Sequence, residues 1–148
     1  MTQFHEGNFD KRVGTMGDEA EGVFEEVCPV NWVRYGLNRP PLKMSMLDER
    51  VRYTPDYLTS AAFVEVQGFG RDQTLKLKVS KMSALAWWNV PHPVELFVWD
   101  STNKRHAQFP LAEVQAWFDN LRTVLDRFHD SGAYFAVPAE VVFGDSDA

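Results

Sequence analysis

Residues 52–81 read RYTPDYLTSAAFVEVQGFGRDQTLKLKVSK, and the reading of this stretch decides the fold. Tyr53–Leu58 and Ala62–Gln67 have the β-branched and aromatic content of strands, with a Thr59-Ser60 turn between them. Gly68-Phe69-Gly70 then releases the backbone from strand geometry. Along a strand successive side chains point to opposite faces. Val64 and Val66 therefore share one face and read as core, while Glu65 and Gln67 share the other. An acid and an amide together on a sheet face mark that face as solvated or as a site. Thr74–Val79 alternates at first, placing Leu75, Leu77 and Val79 on one side and Lys76 and Lys78 on the other.

Outward from this centre the pattern changes period. From Asp18 the apolar residues Ala20, Val23, Phe24 and Val27 recur at helical spacing, with Asp18 as N-cap and Pro29 as terminator. Glu19 and Glu21 border that stripe on opposite sides, each about 100° from its centre. Periodicity leaves both as candidates to face a cleft. Asn31–Tyr35 reads as a short strand, Asn38-Arg39-Pro40-Pro41 breaks the chain, and Lys43–Asp48 is either a short strand or a connection.

Downstream, Met82, Leu85 and Trp88 predict a helix from Lys81 to about Asn89. Pro93–Asp100 is an apolar strand, Ser101-Thr102-Asn103-Lys104 a hairpin turn, and Arg105–Phe109 the returning strand. Asp100, at the strand's end, is placed to cap that turn. Leu111, Val114, Phe118, Leu121, Leu125 and Phe128 predict a long helix from Leu111 to Phe128, with Gly132 beyond it and Tyr134–Phe143 extended. Trp87, Trp88 and Trp117 are expected in the core. The order of elements is that of an α/β or α+β layered domain. It divides into a lead-in over 1–16, one domain over 17–143 and an acidic tail over 144–148.

Composition narrows the function classes. The chain has 148 residues, 45% of them hydrophobic, with five Trp, as expected of one folded domain. No run of about 18 apolar residues occurs, and the first residues lack the apolar segment of a secretory signal. A cytoplasmic protein is expected, in the host cytoplasm if the chain is phage-encoded. The single cysteine, Cys28, leaves no internal disulfide and no cysteine-rich zinc site. The four histidines lack metal-ligand spacing. The net charge is −6, but it is unevenly spread. Residues 1–29 carry seven acids and two bases, and residues 140–148 carry three acids with no Lys or Arg. Arg71–Lys81 holds four bases and one acid, a local basic segment suited to phosphates.

Asp56 falls on the strand before Glu65 and near enough in sequence to lie beside it. Two carboxylates held together repel, and a hard cation such as Mg²⁺, bound through oxygens, neutralises them. Such a metal activates water and offsets charge on a phosphodiester, and a nearby Lys or Arg assists.

YTPDYL followed by FVEVQG resembles the PD-(D/E)xK nuclease superfamily, which includes restriction enzymes, Holliday junction resolvases and transposon-end endonucleases, among them small phage and bacterial members. The resemblance implies a restriction-endonuclease-like αβββαβ core, a central mixed sheet flanked by helices, with an extra C-terminal helix. It implies a Mg²⁺-dependent (or Mn²⁺-dependent) endonuclease that hydrolyses DNA. Asp56 and Glu65 would be metal ligands. Gly17-Asp18-Glu19-Ala20-Glu21 matches a first-helix Gly-Asp-x-x-Glu step and selects Glu21 as a third. The family's lysine position holds Gln67, which would position water; Lys76, Lys78 and Lys81 are candidates for the displaced cation, with Lys76 or Lys78 meeting the scissile phosphate. Arg71, Lys76, Lys78 and Lys81 would contact the DNA, branched or duplex, and a homodimer is a further implied partner. The alternatives are a catalytically inactive module of the same fold that binds DNA or a protein, and an acidic protein whose charged ends engage a basic partner.

Overall fold

The computed structural model describes residues 16–37, 43–119, 124–127 and 132–144. The lead-in up to residue 15, the break around residues 38–41 and the tail from 145 lie outside the described residues.

Helix α1 spans Met16–Val27, followed by β1 at Trp32–Arg34. The ambiguous segment after Lys43 is neither strand nor open coil. It forms a 3-10 turn at Met44–Met46 and a one-turn helix α2 at Glu49–Arg52, started by Asp48, whose side chain accepts from the Arg50 N–H. Strands β2 (Tyr57–Thr59), β3 (Phe63–Phe69) and β4 (Thr74–Lys78) follow. Strand β2 starts later than Tyr53 because α2 runs up to Arg52 and Pro55 has no N–H for a ladder.

Helix α3 occupies Val79–Trp88, two residues earlier than its apolar spacing suggests. The Asn89 side chain then accepts from the Val94 N–H at 2.8 Å and starts β5 (Val94–Asp100). β6 (Arg105–Pro110) pairs with it as a hairpin.

The expected long helix is shorter. Helix α4 ends at Asp119, and Val124–Arg127 is strand β7, paired antiparallel with β8 at Ala133–Pro138. Asn120, Thr123 and Val124 are weak helix formers, and the β8 ladder supplies the backbone partners of 124–127. The apolar repeat through Leu125 fits either period, so spacing alone could not exclude the strand. Residues 139–143, expected extended, form a short helix α5.

The main sheet has the order β1-β2-β3-β5-β6, with only the β3–β5 neighbours parallel. The αβββαβ order is present as α1-β1-β2-β3-α3-β5, a mixed sheet flanked by helices. Strand β4 leaves this sheet and joins β8 and β7 in a second, three-stranded one.

Both faces of β3 are covered. On one, Val64 and Val66 pack with Ala20 and Phe24 of α1, and with Phe97 and Trp99. On the other, Phe63 and Phe69 join Leu85, Leu96, Leu111 and Trp117 in the larger core. Phe24 is fully buried, and burying such a ring contributes roughly 1.5–3 kcal/mol. Val27, at the other end of the helical stripe, is exposed. Among the described residues no helix is long and apolar enough to cross a membrane.

Candidate active site

Glu65 and Gln67 share the face of β3 that also carries Phe63 and Phe69, and so lie at the margin of the larger core. Glu65 is 5% exposed. Strand β2 pairs with β3 only at Tyr57–Val64 and Leu58–Phe63, so Asp56 stands where the ladder stops. There its carboxylate takes the place of a backbone acceptor: Oδ2 accepts the Val66 N–H at 2.9 Å. Its carbonyl accepts from Tyr35 N–H at 2.9 Å and Gly36 N–H at 3.2 Å. Gly36 is required by proximity. A Cβ there would lie 2.7 Å from the Pro55 oxygen and 3.0 Å from the Thr54 oxygen. The Pro55-Asp56 segment is thus seated directly on the backbone that follows β1.

The cation beside these acids is Lys81, in the first turn of α3. Its Nζ lies 3.0 Å from Glu65 Oε2 and donates to Gln67 Oε1 at 3.4 Å. It also stands 5.8 Å from the centroid of the Tyr53 ring, whose hydroxyl accepts from Ser80 at 3.3 Å. Glu65 Oε1 is buried without a hydrogen-bond partner among the described residues. Such an unpaired buried acceptor is uncommon.

The electrostatics follow from this crowding. Burial, and then the charge of Glu65, raise the Asp56 carboxyl well above the usual range against the opposing Val66 N–H. Burial also raises Glu65, although Lys81 opposes it. Lys81 is raised too: burial would lower it, but Glu65 and then Asp56 outweigh burial. Two carboxylates and one ammonium leave one negative charge uncompensated, to be met by a proton or a further cation.

The remaining expected site residues are distributed as follows. Glu21 is turned to Arg34, with Oε1 2.8 Å from the guanidinium, which also reaches Glu25 at 3.2 Å. The hydroxyl of Tyr57 donates to Glu25, and the Arg34 guanidinium lies 5.1 Å from the Tyr57 ring centroid. Glu19 accepts the Trp99 indole N–H at 2.5 Å. Among the described residues no group of three His, Cys, Asp or Glu is arranged to hold a metal; Asp56 and Glu65 stand as a pair. Lys76 and Lys78 are exposed on β4, in the other sheet, where Lys76 pairs with Asp72 at 3.3 Å. Arg71 is exposed in the turn before β4.

Sequence reasoning included Lys81 only among several cations, and missed Gly36, Arg34 and Tyr53. A glycine directly after a short strand was the one legible hint of Gly36. Nothing in the sequence pairs Arg34 with Glu21. Trp87, expected in the core, is 49% exposed, whereas Trp117 is buried.

No family model and no curated protein matches the chain. Among solved structures it is similar to the Holliday junction resolvase Hjc of the archaeal hyperthermophile Archaeoglobus fulgidus. The TM-score is 0.48 at 11% identity, over 84% of this chain and 88% of that one. It is also similar to a nuclease from a fusellovirus, with a TM-score of 0.49 at 8% identity, over 96% of this chain and 88% of that one.

Proposed function

We propose that this chain is a divalent-metal-dependent DNA endonuclease whose reacting centre is the Asp56–Glu65 pair. The observation that carries the reading is the position of Lys81. Its Nζ lies between Glu65 Oε2 at 3.0 Å and Gln67 Oε1 at 3.4 Å, so the strand FVEVQ regains the cation that its own third position lacks.

The donor set fits a hard metal ion. Asp56 and Glu65 supply carboxylate oxygens, the charge of Glu65 raises the proton affinity of Asp56, and Glu65 Oε1 is a buried acceptor without a partner among the described residues. When bound there, Mg²⁺ or Mn²⁺ would acidify water and offset charge on a phosphodiester.

The chain's own residues do the rest. Lys81 favours the ionised form of Glu65 against burial and presents an ammonium where phosphate charge develops. Gln67 accepts from Lys81 through Oε1, which leaves its NH₂ group to donate to a water or a phosphate oxygen. Val66 N–H holds the Asp56 carboxylate in place. The exposed cations Arg71, Lys76 and Lys78 serve the DNA backbone rather than the reacting centre.

The test is nicking of supercoiled plasmid in Mg²⁺ or Mn²⁺. Cutting should vanish on chelation and in Asp56→Asn, Glu65→Gln and Lys81→Met, while Lys76→Met and Lys78→Met retain it. Cutting that survives both carboxylate substitutions sinks the proposal.

A second reading, a non-catalytic module that binds DNA or a protein, is favoured by one observation: Glu21, the first-helix acid expected as a third ligand, is already paired with Arg34. Calorimetric titration with Mn²⁺ separates the two. A folded protein that binds no Mn²⁺ is the module.

A further inference from the structure

Trp87 is 49% exposed at the C-terminal end of α3, although a side chain of that size normally buries most of its surface. It rests on a fixed base. The Trp88 ring lies 5.3 Å away at an interplanar angle of 90°. Trp88 is itself anchored, by its indole N–H donating to the Arg50 carbonyl at 2.9 Å and by the Phe63 ring at 5.6 Å. The Arg50 guanidinium stands 5.2 Å from the Trp87 centroid. Among the described residues no carboxylate pairs with Arg50.

The position of this pair is as informative as its composition. Helix α2 and Tyr53 lie along α3, with Tyr53 beside Ser80 and Lys81 at one end and Arg50 beside Trp87 at the other. Lys81 and Trp87 are six positions apart along the helix, a rise of about 9 Å. An open indole face with a cation beside it suits a nucleobase and its phosphate. Inside a duplex the faces of each base are covered by neighbours roughly 3.4 Å away, so an indole stacks only on a base that has left the stack.

We propose that Trp87 and Arg50 form a stacking site for one unpaired base of a DNA strand whose backbone continues to Lys81. This rests on the nuclease reading for the position of the cut. It names the substrate class as DNA with an unpaired base close to the scissile phosphate. Met46, Val51 and Val90 are also exposed nearby, and an apolar surface alone would suit a protein partner. The guanidinium over the ring and the run to Lys81 favour nucleic acid.

Fluorescence anisotropy with the full chain in Ca²⁺ tests this, using a labelled blunt duplex and the same duplex with a short single-stranded overhang. The intact protein binds the overhang DNA more tightly. Trp87→Ala weakens that complex by about tenfold, the scale of one lost base–aromatic stack, and changes blunt-duplex binding by less than about twofold. Trp87→Phe, which keeps a ring and controls for folding, restores most of the preference. Arg50→Ala reduces it and flattens its salt dependence. Equal loss on both DNAs, or no loss on either, overturns the proposal and leaves the exposed apolar surface as a protein-docking face. The two readings fail separately. Asp56-dependent cutting with Trp87 dispensable for binding removes only the stacking site. An overhang preference lost in Trp87→Ala, without metal-dependent cutting by the intact protein, removes only the nuclease.

Discussion

Glu65 and Asp100 are buried acids on neighbouring parallel strands, and they are treated in opposite ways. Asp100 is 0% exposed, yet each oxygen is occupied. Oδ1 accepts from Thr102 N at 3.1 Å, Asn103 N at 3.3 Å and Gln73 Nε2 at 3.3 Å. Oδ2 accepts from Asn103 Nδ2 at 3.0 Å and Arg105 Nε at 2.9 Å. Burial alone would raise its proton affinity, but these bonds from Asn103, Arg105 and Gln73 win and hold the carboxyl below its usual range. Glu65 has Lys81 on one oxygen, no hydrogen-bond partner on the other among the described residues, and Asp56 beside it; burial wins there and both carboxyls rise. A buried carboxylate with its lone pairs filled by turn donors is a staple. One with an unpaired oxygen beside a second acid is the kind of arrangement the proposed metal would complete.

Neutralising one acid of each kind should give the largest effects. Asp56→Asn should lower cleavage by about 10³-fold, the scale of losing a principal electrostatic group at a reacting centre. Its melting temperature should hold or rise, because a repulsive buried charge is gone. Asp100→Ala should do the reverse. It removes the buried carboxylate that accepts from Arg105 Nε and from several N–H groups, at a cost of about 3–5 kcal/mol. At roughly 2–4 °C per kcal/mol, that is a visible fall in a thermal melt, with activity per folded molecule unchanged. A destabilised Asp56→Asn protein beside an intact Asp100→Ala protein would invert the assignment.

Acidity sharpens the same contrast with opposite signs. The Asp100 carboxyl is lowered by folding, so its stabilisation is present above the unfolded value of about 3.9 and is lost as pH falls through the folded value. The Asp56 carboxyl is raised, so the native state binds more protons between the unfolded and folded values. Its contribution is therefore full below about 3.9 and is lost as pH rises through the raised folded value. Thermal melts from acid to neutral pH should show Asp56→Asn flattening the loss towards neutrality. Asp100→Asn should instead flatten the loss at the acid end.

This contrast explains how far the sequence could be read. Both acids stand at strand positions that pattern analysis finds, and periodicities and breaks along the chain give the order helix, strands, helix, hairpin, while the αβββαβ core was what the family resemblance implied. Period two in FVEVQ put Glu65 and Gln67 on one face, which the structure shows. What pattern could not see is what meets a side chain across the fold. Lys81 lies 14 positions from Gln67 and reaches it only because α3 starts at Val79, with its first turn beside Glu65 and Gln67. Alternation drew attention to Lys76 and Lys78 instead, and β4 carries both into the other sheet. The helix expected through Phe128 failed for a related reason, since pairing with β8 is a long-range fact that an apolar repeat does not contain.

Gly36 offers a smaller and more selective perturbation. Gly36→Ala forces a methyl to within 2.7 Å of the Pro55 oxygen, so the Pro55-Asp56 segment must move. An overpacked contact of this kind costs about 1–3 kcal/mol. The loss of Mn²⁺ affinity should exceed the fractional loss of stability, because the displaced segment carries Asp56, one of the two proposed ligands. Calorimetric titration and a denaturant melt on the same preparation measure both, and a loss of stability with unchanged Mn²⁺ affinity would detach Gly36 from the site.

Arg34 gives the smallest effect on folding and the most direct reading of why one site is left short of positive charge. Its guanidinium binds Glu21 at 2.8 Å and Glu25 at 3.2 Å and is itself 39% exposed. Such partly solvated pairs contribute at most about 1 kcal/mol, so Arg34→Met should melt within a few degrees of the parent. The effect on the acids is larger in proportion. Glu21 already adds to the repulsion felt by Asp56 and Glu65, and losing its guanidinium leaves that charge uncompensated. A cation at the pair would then be held more tightly, so Arg34→Met should raise Mn²⁺ affinity by a few-fold. The double variant with Glu21→Gln should return it to the parental value. The Asp100 network, filled by its own donors, should not respond to either change.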